Sequence, residues 1–130
     1  MKRIALFFLF ATAAFAETLV LENRTSHPNT DENSRMAVQW ASSASEVQTH
    51  NQASIQAMKL NPATLQDLNR QGKLKLSIPQ HAEYFRVVVW IKGEGHPEFM
   101  TNWVEIVPNK TYQLKGDHLI TAVLVVGMGC

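Results

Sequence analysis

The sequence predicts a mainly β protein: an antiparallel β-sandwich of the immunoglobulin-like kind, or a small barrel, with one short helix. Three observations carry this. Short apolar runs alternate with period two or are β-branched on both faces, turn residues punctuate them, and one segment opens with clear helix-entry chemistry at Asn61-Pro62. The missing Cys…Trp…Cys pattern excludes only the disulfide-bearing antibody type. No internal repeat appears.

The first segment lies outside that fold. Lys2 and Arg3 give a positive start, Ile4 to Ala14 is uncharged and apolar, and Ala14-Phe15-Ala16 sets small residues where a signal peptidase reads. Crossing the hydrocarbon of a bilayer takes about 20 apolar residues, and this run meets Glu17 well before that. Residues 1–16 are therefore expected to be a cleaved export signal of bacterial type, with 17–130 as a single β-rich domain in the periplasm or outside the cell. Its removal takes Lys2 and Arg3 from the 12 Lys+Arg, leaving 10 against 11 Asp+Glu and a formal net charge of −1. A near-neutral chain with no basic stripe lacks the electrostatic footprint of a nucleic-acid binder.

Thr18 to Glu22 alternates as a strand, and the polar stretch from Asn23 to Ser34 follows as a loop. Met36, Val38 and Trp40 share one face of a second strand. Ala41 to Asn51 fits either a long loop or a weak helix. Ser54 to Leu60 alternates as a strand does but also suits a helix face. Asn61 caps and Pro62 starts a short helix expected to run to Gln71, with Leu65 and Leu68 on one face and Gly72 as the stop.

From there the period changes. Leu74, Leu76 and Ile78 alternate with Lys73, Lys75 and Ser77 as a half-buried strand. Tyr84 to Lys92 is β-branched and aromatic on both faces apart from Arg86, as a central strand requires. Gly93 to Pro97 breaks it. Asn102 to Val107 is expected to resume as a strand, with Trp103 on one face and Val104 on the other. Thr111 to Leu114 pairs Tyr112 and Leu114 on one side, Gly116-Asp117 turns, and Leu119 to Val126 is an uncharged final strand.

Chemistry is sparse. The five histidines, His27, His50, His81, His96 and His118, never fall at the three- or four-residue spacing that sets two ligands on one helix face, so no metal or other cofactor is expected. No Gly-x-Ser-x-Gly elbow is present, and Gly93-Glu94-Gly95 lacks the length and the following helix of a phosphate cradle. Cys130 is the only thiol, so no internal disulfide can form. It stands after Gly127-Met128-Gly129, either as a free thiol or as the half of a disulfide-linked dimer. Asn23-Arg24-Thr25 and Asn109-Lys110-Thr111 match a glycosylation acceptor that matters only in a eukaryotic secretory route.

One loop stands out. Gly93 to Thr101 presents His96 and Phe99, with Trp103 just beyond, and aromatics on a rigidly held loop are what binding surfaces use. The expectation is a non-enzymatic binding protein, acting as adaptor, assembly factor or inhibitor on another exported or envelope protein. A small hydrolase or metal protein built from scattered His and Glu, and a carbohydrate or small-ligand module using Trp103 and Phe99, are the alternatives.

Overall fold

The computed structural model describes residues 17–29, 33–56, 59–93 and 95–121. The expected export signal over residues 1–16, Cys130 and the part of the expected final strand beyond Thr121 lie outside them. Among the described residues the chain forms β1 (Thr18–Asn23), β2 (Arg35–Ala41), helix α1 (Ala44–Ile55), β3 (Leu65–Asp67), β4 (Gly72–Ser77), β5 (Tyr84–Trp90), β6 (Phe99–Met100), β7 (Val104–Glu105), β8 (Thr111–Leu114) and β9 (Ile120–Thr121).

These strands make two sheets. The larger runs β9-β6-β5-β2-β3 with β7 also paired to β5, and the smaller runs β4-β1-β8. Leu19, Leu21, Leu74, Leu76 and Leu114 of the small sheet meet Met36, Val38, Trp40, Phe85, Val87 and Val89 of the large one in a single buried cluster. The sheets therefore face each other as a sandwich, and they do not close into a barrel. One pairing departs from the antiparallel expectation: β1 and β8 run parallel, Leu21 opposite Tyr112.

The outer face of the large sheet is covered as well. Ala37, Leu60, Val88, Trp90 and Met100 form a second, smaller buried cluster, with Leu65 against it. Trp40 is buried between the sheets and Trp90 on this outer face.

Two elements differ from the sequence expectation, and both differences have a local cause. The helix from Pro62 to Gln71 is a single 3-10 turn, Pro62–Thr64. Its entry chemistry is as expected, with Asn61 Oδ1 accepting the Ala63 N–H at 3.0 Å. The following residues then satisfy their backbone by pairing with the open edge of β2, Val38 opposite Gln66, and Leu68 is drawn into the inter-sheet core. Tertiary pairing outweighs the small propensity difference. The real helix is α1, in the stretch that fitted either a loop or a weak helix. Ser43 Oγ accepts the Glu46 N–H at 3.1 Å, and Glu46 Oε1 returns to the Ser42 N–H at 2.8 Å. This Ser-x-x-Glu pair, in which the glutamate reaches the residue before the N-cap, starts a helix that no apolar stripe announces.

The strand expected from Asn102 to Val107 is broken in a similar way. Val87 N–H donates to Thr101 Oγ1 at 3.0 Å rather than to a ladder carbonyl, so pairing stops after Met100 and resumes at Val104. The interruption carries Trp103 to the outer face. At the opposite end of β5 the chain reverses through Gly93, whose φ of +80° only glycine adopts freely and whose missing Cβ leaves room for the Asn33 carbonyl.

Candidate functional site

The gap between the sheets opens at one side into a cleft of about 360 Å³. Leu21, Phe85, Val87, Val104, Tyr112 and Leu114 make its apolar lining, and Asn102, Gln113, Asp117 and His118 stand around it. Its wall is braced. Tyr112 sets its ring edge-on to Phe85 across the sheets at 5.1 Å, and its hydroxyl accepts the Val107 N–H at 2.8 Å while donating to the Glu105 carbonyl at 3.2 Å. His118 Nδ1 accepts the Lys115 N–H at 3.0 Å, which fixes the 3-10 turn at the rim.

The strand beside this cleft has an open side. Val20 N–H donates to the Lys110 carbonyl and Arg24 N–H to the Leu114 carbonyl, so residues 110 and 114 face β1. In a parallel ladder the N–H and C=O of one residue point the same way, and the next residue points oppositely. Thr111 and Gln113 thus aim their backbone groups away from β1, where no described strand lies. Edge strands are normally shielded by charge or by brevity. Here β4 carries Lys73 and Lys75, β3 is three residues ending on Asp67, and β9 is described over two. β8 is four residues without a charge.

A second polar cluster lies under α1. β5 alternates Tyr84, Arg86, Val88 and Trp90 onto the outer face, and this places a fully buried guanidinium in mid-sheet. Arg86 Nε donates to Gln39 Oε1 of β2 at 2.8 Å, Nη1 to Met100 Sδ at 3.1 Å and Asn51 Oδ1 at 3.5 Å, and Nη2 to Ser54 Oγ at 3.3 Å. The guanidinium also lies 4.6 Å from the centre of the Trp103 ring. All these partners are neutral. No carboxylate forms an ion pair with Arg86 among the described residues, and burial lowers its pKa to about 10.

His96, Phe99 and Trp103 do not converge. Phe99 pairs with Val89 and packs against the inter-sheet core. Trp103 lies on the opposite face, its Nε1 donating to Asn51 Oδ1 at 3.0 Å and its ring stacked on His50 at 5.6 Å. His96 is half-buried after the β5 turn with its Nε2 unbonded, and its pKa is lowered by burial first and then by Arg86. The cleft residues Tyr112, Gln113 and Asp117 were not singled out by sequence. The missing signal is the parallel pairing of β1 with β8, which joins residues about ninety positions apart.

Among the described residues, no three His, Cys, Asp or Glu side chains gather in a way that could hold a metal ion. Nor is any described helix long and apolar enough to cross a membrane. Fold and site together define a mainly β sandwich with an apolar inter-sheet cleft beside an uncharged strand edge. No family model matches the chain, and no curated protein or solved structure is significantly similar to it.

Proposed function

We propose that the chain is an exported, non-enzymatic binding protein, an adaptor, assembly factor or inhibitor that works through protein–protein contacts in the periplasm or outside the cell. Its partner is another exported or envelope protein, which lays an extended segment along β8 and points alternate apolar side chains into the cleft. Support for export is the order of residues 1–16, a positive start, an apolar run and Ala14-Phe15-Ala16. The observation that carries the binding reading is the uncharged, outward-facing backbone of Thr111 and Gln113 beside an apolar cleft. An added strand gains affinity from main-chain hydrogen bonds and specificity from pockets for alternate side chains, and both halves of that arrangement stand side by side here.

Gln113→Pro tests it. The substitution removes an N–H that points away from β1 and leaves the β1 ladder its bonds. A synthetic peptide of alternating Val and Thr with a terminal Lys is expected to bind residues 17–130, protecting β8 amides from hydrogen exchange. Gln113→Pro is expected to weaken that binding by about tenfold while leaving the circular dichroism spectrum unchanged. Equal binding by the variant, or no protection of β8 in the native chain, would overturn the reading.

A further inference from the structure

α1 is held on the large sheet by polar groups rather than by an apolar face. Along its 12 residues only His50 and Ser54 are buried. Surface helices are normally fixed by an apolar stripe about 100° wide, so an attachment made of side-chain hydrogen bonds is unusually weak and depends on the charge of the groups that make it. The contacts are few and specific: Arg86 reaches Ser54 and Asn51, Trp103 donates to Asn51, and the His50 ring lies on the Trp103 ring with an interplanar angle of 16°. The helix also sits wholly between β2 and β3, which pair with each other without it. It can leave the sheet without breaking a ladder bond.

His50 is the titratable member of this contact. Its Nε2 is buried with no hydrogen-bond partner. Arg86 faces it from β5, Glu46 stands one turn back on α1 itself with Oε1 4.0 Å away, and the Trp40 carbonyl approaches from β2. Trp103 covers it from the segment between β6 and β7, and His96, after the turn that ends β5, lies in the same Arg86 field.

We propose that α1 is a detachable cover, and that a proton taken up at His50 breaks its docking on Arg86 and Trp103. The charge placed there joins a guanidinium that already lacks an anion. Among the described residues Glu46 is the single carboxylate in reach, and its Oε1 is already engaged by the Ser42 N–H. Burial and then Arg86 hold the His50 pKa below its ordinary value, with Glu46 and the Trp40 carbonyl pulling the other way. A lowered pKa in the docked state means that the undocked state binds the proton more readily. Docking is therefore at full strength above the ordinary imidazole pKa of about 6.5 and weakens as pH falls from there toward the depressed value. Release uncovers the Arg86 guanidinium and the Trp103 ring on the outer face of the large sheet.

Hydrogen exchange of residues 17–130 at about pH 7.5 and about pH 5, either side of that ordinary value and corrected for intrinsic rates, tests the cover. Amides of α1 are expected to lose protection by about three- to tenfold at the lower pH, while those of β2 and β5 keep theirs. His50→Gln is expected to remove the difference between the two pH values. Glu46→Gln keeps the capping acceptor but withdraws the charge that raises the docked His50 pKa, and is expected to deepen the loss of protection at the lower pH. Equal α1 protection at both pH values, the same loss in His50→Gln, or no deeper loss in Glu46→Gln would each overturn the proposal. If His50→Gln loosens α1 at every pH, the depth of the low-pH loss in Glu46→Gln decides the matter.

Discussion

Asn51→Asp is expected to stabilise the fold by about 2 kcal/mol, which for a domain of this size raises the thermal midpoint by about 8 °C. Most substitutions in a half-buried contact lower stability, so the sign is the informative part. Asn51 Oδ1 already stands 3.5 Å from Arg86 Nη1 and accepts the Trp103 indole N–H at 3.0 Å. Replacing the amide by a carboxylate keeps both acceptor roles and supplies the anion that the buried guanidinium lacks. The gain is the attraction between two opposite charges, about 4 kcal/mol at 4 Å for a pair near a protein surface, less the cost of burying the new carboxylate. Asn51→Leu is the control: it keeps the volume, removes both acceptor contacts, and is expected to lower the midpoint. Thermal unfolding followed by circular dichroism measures both variants. A drop in Asn51→Asp comparable to that in Asn51→Leu would show that Arg86 is already neutralised and would remove the electrostatic basis for the weakness of α1 docking.

At the other end of the sandwich, Asn23→Ala is expected to cost about 3 kcal/mol, the value appropriate to several buried polar groups losing one shared partner. Asn23 closes β1 and is 1% exposed. Its Nδ2 donates to the carbonyls of His27 and Arg70 at 2.8 and 3.2 Å, and its Oδ1 accepts from the Thr25 N–H and hydroxyl at 3.1 and 2.7 Å. One side chain thereby ties the loop after β1 to the loop before β4. Thr25→Val removes only the hydroxyl and is expected to cost about 1 kcal/mol. Urea unfolding midpoints of the two variants, compared at a common slope, check the ratio. The same geometry bears on the Asn23-Arg24-Thr25 acceptor pattern, because an amide engaged in this way and buried to this extent is not open to a glycosyl donor.

Where the sequence and the fold agree, the agreement comes from period and turn chemistry. β1, β2, β4, β5 and β8 were all legible, since each alternates or is β-branched over its whole length and is bounded by Gly, Pro, Asn or Asp. Where they part, a partner distant in sequence decides. Leu65 and Gln66 had the credentials of a helix and became a strand because the edge of β2 offered them backbone bonds. α1 was ambiguous because its buried side is His50 and Ser54, which no hydrophobic pattern registers. The Ser43-x-x-Glu46 pair was the one signal that would have found it.

The candidate sites divide along the same line. By itself the sequence determined the mainly β class, the central place of the strand around Val87 to Trp90, and the oddity of Arg86 within it. Periodicity acts locally, and those features are local. Only the tertiary structure decided that Phe99 and Trp103 belong to opposite faces, that Arg86 has neutral partners, and that β8 lies parallel to β1 with its free edge beside a cleft. Each of those outcomes depends on which strand lies next to which, and that choice is fixed by burial summed over both sheets rather than by the residues at the site.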